Sequence, residues 1–478
     1  VDPVVSPAAR AADGRGAAAL PDRATADLVA AGVPVVTDPD LLASHATDWT
    51  GRWTGPILGM VRPRTAAEVA AVLATARSHR LPVQVQGGNT GLVGGSVPGR
   101  PSLLLSTAGL QWLDPVDPLE RTVRAGAGVT LAQVAAHAAA AGLRVGIDLA
   151  ARDSATLGGL AATNAGGMGV CAYGMTRDQV RGVTAVLADG RVVRTVGRPR
   201  KDNAGVDLGG LLVGSEGTLG VITEVELGLH PVPPASTVAL LAADDLARAV
   251  AMARAVQSGP AALLAAEVVD AQGVARAAAA LGAPDPLPAG APWLVLLEAA
   301  DGASGDAFAV VADQVIAIAT SAPDRARLWA YRERQTELYA ALPGPGPEKL
   351  DVSLRLDRLD EGVAAIREVV AAATPPGGGE PSVGQPVGAR PWLGVFGHAL
   401  DGNLHVQLLD AGPGTARRIL EVVAHLGGGI SAEHGIGRLK AAQLQLARSV
   451  DEIAWMRQLR STVDPDGMLN PGVLFTES

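Results

Sequence analysis

The chain has one cysteine, Cys171, in 478 residues, so neither a disulfide framework nor a thiolate metal site can be built from it. Aromatic residues make up only 3%, and lysine occurs three times, at Lys201, Lys349 and Lys440. No run approaches the ~20 uninterrupted apolar residues that a membrane-spanning helix requires. Basic runs are missing too, since 39 Lys and Arg stand against 48 Asp and Glu for a formal charge of -9. Nothing could follow a phosphate backbone, which argues against nucleic acid as a partner. What is present, 48% apolar and 18% charged residues, describes a globular protein of two or three domains. The opening VDPVVSPAARAADGRGAAALPDR includes Asp2 and Asp13 and has no apolar export core, so residues 1–22 read as a flexible tail and the location as cytoplasmic.

Scarcity also marks suspects. All five asparagines (Asn89, Asn164, Asn203, Asn403, Asn470) fall in turn segments rich in Gly, Asp or Pro, and four of the eight histidines lie between His398 and His434. Along the first half, strand and helix signals alternate. Thr65 and Glu68 read as a capping box opening a helix striped by Val69, Val72, Leu73 and Ala76, and Thr130 with Gln133 reads as another. VTAVLADGRVVRT reads as a hairpin turning at Asp189-Gly190. The prolines of HPVPPAS, residues 230–236, mark the best boundary. Beyond it, VALLAA, AALLAAEVV and PWLVLLEAA suggest an antiparallel sheet with helices on one face, interrupted by loops at 282–291 and 375–391. The expected class is α+β, with domains at 23–232 and 233–440 and a helical segment at 441–478.

Three glycine-rich segments carry the first chemistry. VQVQGGNTGLVGGSVPG, residues 83–99, runs from a strand into a loop whose glycines let backbone amides crowd toward an anion, with Thr90 and Ser96 as hydroxyl donors. It lacks the Gly-Lys-Ser/Thr ending of a triphosphatase loop, and no Gly-x-Gly-x-x-Gly opens a helix, so ATP and NAD fit poorly. ATLGGLAATNAGGMG, residues 155–169, and LLVGSEGTLGVITEVEL, residues 211–227, repeat that chemistry, as one long ligand threaded through three loops would need. Further on, VFGHALDGNLHVQLL reads as a hairpin that can face His398 and His405 toward one point, and GGGISAEHGIG sets Glu433 beside His434. Two imidazoles and a carboxylate make a three-ligand site for Zn, Mn, Co or Fe. Arg332 and Thr336 lie four apart on one helical face, with Lys349 on the following strand.

In order, PRTAAEVAAVLATA, QGGNTGLVGGS, LGGLAATNAGG and GSEGTLGVITEVEL resemble the FAD-binding domain of the vanillyl-alcohol-oxidase-type flavoproteins. Within that group the chain is most similar to the D-2-hydroxyacid dehydrogenases, namely those of D-2-hydroxyglutarate and D-lactate and the flavin subunit of glycolate oxidase. The resemblance runs over about residues 45–475. It implies a two-subdomain FAD-binding domain, a substrate domain and a C-terminal segment packed back toward the flavin. It implies FAD contacts from Gln86, Gly87, Gly88, Asn89, Thr90, Gly91 and Ser96, and from Ser154, Thr156, Gly159, Asn164, Gly166 and Gly167. Glu216, Gly217, Gly220, Val221 and Asn470 complete that set. With no His or Cys in residues 83–99, the flavin is expected to be noncovalent. GHxxDGNxH and SAEHGxG are similar to the family's metal and base motifs, implying His398, His405 and Glu433 as ligands of a divalent metal and His434 as proton acceptor. Arg332, Thr336 and Lys349 are implied to bind the substrate carboxylate, with Gln407 where hydroxyglutarate enzymes have Asn. The implied activity is oxidation of a D-2-hydroxyacid, with D-2-hydroxyglutarate favoured over D-lactate or glycolate. Electrons would pass to an electron-transfer flavoprotein, quinone or cytochrome, which could bring the protein to a membrane surface, and a homodimer is compatible. A metal-dependent hydrolase leaves the three glycine loops unexplained, and a non-catalytic flavin subunit would not need the His398, His405, Glu433 and His434 set.

Overall fold

The structure, a computed structural model, describes residues 19–342, 347–373 and 392–477; most of the expected tail and the loop at 375–391 lie outside the described residues. Leu20, at the end of that tail, is already buried, and its N–H donates to Leu58 O at 3.0 Å.

The first sheet has the spatial order Val35–Val36, Ile57–Val61, Ser102–Ser106, Val83–Gln86. Ile57–Val61 and Val83–Gln86 both run parallel to Ser102–Ser106, and helix Ala66–Ser78 makes the crossover. The stripe Val69, Val72, Leu73 and Ala76 is fully buried against this sheet. Thr65 caps the helix by accepting from Glu68 N–H, but the Glu68 carboxylate accepts from Arg64 N–H, so the expected box closes on one side only. The box at Thr130 and Gln133 closes on both. A second, antiparallel sheet orders Thr122–Gly126, Val221–Gly228, Val180–Val186 and Val192–Arg194, the last two being the Asp189-Gly190 hairpin. Near the C-terminus, Leu469 bridges to Val83, returning the last segment to the strand that feeds the first glycine loop.

The third sheet has seven strands, all antiparallel: Val315–Ala319, Thr237–Ala243, Trp293–Ala300, Ala262–Asp270, Trp392–His398, Asn403–Leu409 and Glu348–Ser353. Helices cover both faces of this sheet, not the single face expected. Ala239 and Leu241 enter one core with helices Leu246–Gln257, Leu359–Ala372 and Thr415–His425, while Val238 and Leu240 enter another with Ala271–Leu281 and Ala322–Glu333. The continuous apolar run in VALLAA reflects burial on both faces, which removes the alternation of a half-exposed strand. Helix Ala271–Leu281, capped by Asp270, lies between the strands read from AALLAAEVV and PWLVLLEAA.

Candidate active site

The first glycine loop packs onto the second. A Cβ on Gly88 would sit 1.9 Å from Ser154 O, and one on Gly87 would sit 2.6 Å from Thr156 Oγ1. Thr156 caps helix Leu157–Thr163 through Gly159 N–H, and Asn164 ends that helix in left-handed geometry, φ 51°. The third loop closes on the second through Glu216 N–H to Ala162 O at 2.8 Å. Among the described residues, none of the backbone N–H groups of Gly87 to Gly91 finds an acceptor. Gly91 is exposed, and a Cβ there would meet nothing within 4 Å.

Most polar side chains in these loops are spent on the scaffold. Gln86 donates to His45 O and Ser96 O, Ser96 Oγ donates to Asn89 Oδ1 at 2.6 Å, and Asn89 Nδ2 donates to Thr47 O. Asn164 Oδ1 accepts from Arg177 N–H. The buried Glu216 carboxylate accepts from Ile436 and Gly437 N–H, and Asn470 joins Val85 N–H to Glu216 O. Gly217, φ 72°, has Asn470 Nδ2 2.5 Å from where a Cβ would stand, Gly220 abuts Val186 O, and Val221 is a fully buried strand residue. Among the described residues, the hydroxyls of Thr90 and Ser154 make no hydrogen bond, so they and the loop backbone are what these segments leave free for a ligand.

Strand register assembles the histidine site. His405 lies opposite both Phe396 and Asp351, Gln407 opposite Lys349, and Glu267 opposite His398. Residues directly opposite, or two apart on one strand, share a sheet face. Glu267, His398, His405, Asp351, Gln407 and Lys349 therefore form one polar row. The His398 and His405 ring centroids are 5.8 Å apart, and His434 stacks on His405 at 5.9 Å. His398 Nδ1 lies 2.6 Å from Glu267 Oε1, and its Nε2 lies 3.3 Å from Glu433 Oε1. That same Glu433 oxygen accepts from Gly167 N–H at 3.0 Å, joining the row to the second glycine loop. Asp351 Oδ2 accepts from the N–H groups of Ala432, Glu433 and His434 at 3.1, 2.8 and 2.9 Å, and lies 3.6 Å from His434 Nδ1.

Burial opposes charge on His398, yet Glu267 and Glu433 hold its proton well above the ordinary imidazole range. Burial drives His405 the other way, to about 4, leaving a neutral imidazole. Burial also opposes the Glu433 charge, but the hydrogen bond to His398 and the surrounding imidazoles bring the carboxyl well below its usual range. Lys440, buried, donates to Asp351 O at 3.3 Å, and burial lowers its pKa against the pull of Asp351 and Glu216.

The clamp departs from expectation. Arg332 is buried, with Nε 2.6 Å from Glu267 Oε2 and its guanidinium 4.7 Å from the Phe396 ring. The helix is interrupted at Arg334 and restarts at Gln335, and Thr336 emerges exposed rather than sharing Arg332's buried face. Lys349 is half-buried beneath Trp49, Nζ 5.9 Å from the ring. Gln407 is buried with Oε1 lacking a partner. Glu267, Asp351 and Lys440 escaped the sequence reading; their signal is an ionisable residue inside an apolar strand, AALLAAEVVD or KLDVSL, or a rare lysine in a glycine-rich turn. A cavity of about 920 Å³ lies elsewhere, lined by Arg124, Arg177, Arg181 and Asp207 among others, and none of the histidines borders it.

Residues 57–196 match the FAD binding domain, and residues 232–474 match the C-terminal domain of FAD linked oxidases. The chain belongs to the FAD-linked oxidase family. The D-2-hydroxyglutarate dehydrogenase of Bos taurus is 35% identical to this FAD-linked oxidase over 91% of the chain and 80% of its own length. Its counterpart from Xanthomonas citri is 34% identical over 92% and 93%, and a putative D-lactate dehydrogenase of Schizosaccharomyces pombe 31% over 92% and 86%. Among solved structures, p-cresol methylhydroxylase superposes with a TM-score of 0.72 at 17% identity, over 95% of this chain and 96% of its own. 4-Ethylphenol oxidase from Gulosibacter chungangensis gives 0.70 at 16%, over 95% and 97%. These neighbours share the vanillyl-alcohol-oxidase-type fold. The family's FAD fits what this FAD-linked oxidase presents, namely a run of amides without acceptors and glycines too tightly packed for side chains. Among the described residues, no helix is long and apolar enough to cross a membrane. The Cys171 thiol donates to Leu264 O at 3.2 Å, and burial pushes its pKa up to about 12.

Proposed function

We propose that this FAD-linked oxidase is a D-2-hydroxyacid dehydrogenase that prefers D-2-hydroxyglutarate and depends on a divalent metal held by His398, His405 and Glu433. The observation that carries the reading is the Glu433 bridge: one oxygen faces His398 Nε2 at 3.3 Å and accepts from Gly167 N–H in the second glycine loop. Chemistry at the histidine row is thereby set beside the flavin loops. The donor set suits a metal, since ligand atoms of the three residues lie within 4.8 Å of one another and Glu267 fixes His398 from its outer nitrogen. Asp351, His405 and His434 also cluster, but Asp351 Oδ2 is already committed to three amides.

In this reading the amides of Gly87 to Gly91 hold the FAD pyrophosphate, and FAD when bound supplies the hydride acceptor. A divalent metal would lower the pKa of the substrate hydroxyl. His434, whose orientation Asp351 sets, accepts the hydroxyl proton. Arg332 keeps N–H groups beyond its Nε contact with Glu267 and directs them to the C1 carboxylate. The test is anaerobic mixing of the holoprotein with D-2-hydroxyglutarate, its L enantiomer, D-lactate and glycolate. Rapid flavin bleaching by the first is expected, and bleaching by none of them would remove the proposal. A second reading, preference for D-lactate, draws on Gln407, which stands opposite Lys349 and is one methylene longer than the Asn of hydroxyglutarate enzymes.

A further inference from the structure

Two cations meet where the flavin-binding half touches the edge strand of the large sheet. Arg52 Nη2 donates to Pro347 O at 2.7 Å, which fixes its loop two residues before Lys349. Trp49 of the same loop covers Lys349, Nζ to ring 5.9 Å. Lys349 belongs to the polar row, two residues along the strand from Asp351 and opposite Gln407. Among the described residues, neither Arg52 nor Lys349 has a carboxylate within ion-pair distance. Glu348 feels the Arg52 charge, but as Lys349's strand neighbour it projects to the opposite face. Burial first, and the Arg52 charge second, lower the Lys349 pKa. Arg332 is different, because Glu267 at 2.6 Å already balances it. The unbalanced positive charge of the site therefore collects at the Lys349 end, away from the metal-ligand set.

We propose that Arg52, with Lys349, binds the carboxylate at the far end of a dicarboxylic 2-hydroxyacid and so sets the preference for dicarboxylates over monocarboxylates. The proposal rests on the D-2-hydroxyacid dehydrogenase reading and adds a specificity residue to it. A second carboxylate would separate two like charges and give each a charge-assisted hydrogen bond, whereas a methyl group leaves them facing one another. The Arg52 guanidinium reaches this position from an exposed loop, so its substitution disturbs no core.

The experiment compares D-2-hydroxyglutarate with D-lactate in steady-state kinetics with a dye acceptor, for the wild-type holoprotein, Arg52→Gln and Arg52→Lys. For Arg52→Gln, the ratio of kcat/KM for the dicarboxylate to that for the monocarboxylate should fall at least about tenfold, through KM for the dicarboxylate. Arg52→Lys should recover most of it. Glutarate, an unreactive dicarboxylate, should lose inhibitory strength in Arg52→Gln to the same degree. A ratio that stays within about twofold of wild type, or equal losses with both acids, would overturn the assignment of Arg52 while leaving the dehydrogenase reading in place. Wild-type protein reduced by neither acid would overturn that reading and this one with it.

Discussion

The glycine-rich loops and the histidine row are two closely packed regions built from opposite materials. The loops expose backbone amides and spend their side chains on one another, as Ser96, Asn89 and Gln86 do. The row exposes side chains and spends buried carboxylates, Glu267 and Asp351, to hold them. A cradle of amides carries no net charge and tolerates few substitutions, because a Cβ at Gly87 or Gly88 runs into the neighbouring loop. A row of ionisable groups must balance its charges, so removing one leaves another buried and unpaired.

This contrast predicts the size of several effects. His405→Ala should cut substrate-driven flavin reduction by about 10² to 10⁴, the usual scale for groups that take part in proton transfer or support it, while bound flavin stays. Stopped-flow traces beside flavin absorbance check both halves, and loss of flavin would break the separation of the two regions. Glu267→Gln should cost about 3 to 5 kcal/mol in denaturant unfolding, because the buried Arg332 loses its counter-charge and His398 its acceptor. A midpoint equal to wild type would show that Arg332 finds another partner.

Glycine substitutions sharpen the other side. Gly88→Ala meets Ser154 O at 1.9 Å, so it should destabilise the protein by about 1 to 3 kcal/mol, and flavin loss there would mix a broken loop with a blocked ligand. The Cβ of Gly91→Val meets no protein atom within 4 Å, so flavin lost at unchanged melting temperature would report on the ligand alone. Full flavin content in Gly91→Val would take that amide out of the cradle. The smallest effect concerns Cys171. Its thiol is partly buried and its pKa is pushed up to about 12, so maleimide at pH 8 should label it much more slowly in the folded protein than after denaturation. Equally fast labelling of the folded protein would contradict that shift.

The same contrast explains what the sequence made legible. Glycine loops announce themselves, since no other residue permits such close packing, and their order along the chain carried the family. The helix stripe at Val69, Val72, Leu73 and Ala76 and the hairpin bearing His398 and His405 were equally plain, because each is local. Glu267 and Asp351 were not, since their roles depend on which strand pairs with which: Glu267 meets His398 across 131 residues. Thr336 is a different case. Helical spacing put it beside Arg332, and in the structure, past the interruption at Arg334, Arg332 is buried while Thr336 is exposed. The helix Ala271–Leu281 was hidden by its Ala-rich composition between two strands whose faces are both buried.

The central claim is that a metal-dependent chemical site stands beside a flavin that is held independently of it. Its most direct test is to strip divalent metal from the holoprotein with a chelator and mix it anaerobically with D-2-hydroxyglutarate. The account predicts that the flavin remains bound, that its reduction falls by at least about 10², and that adding back Zn, Mn, Co or Fe restores the rate. Undiminished reduction in metal-free protein, or release of the flavin together with the metal, would contradict it.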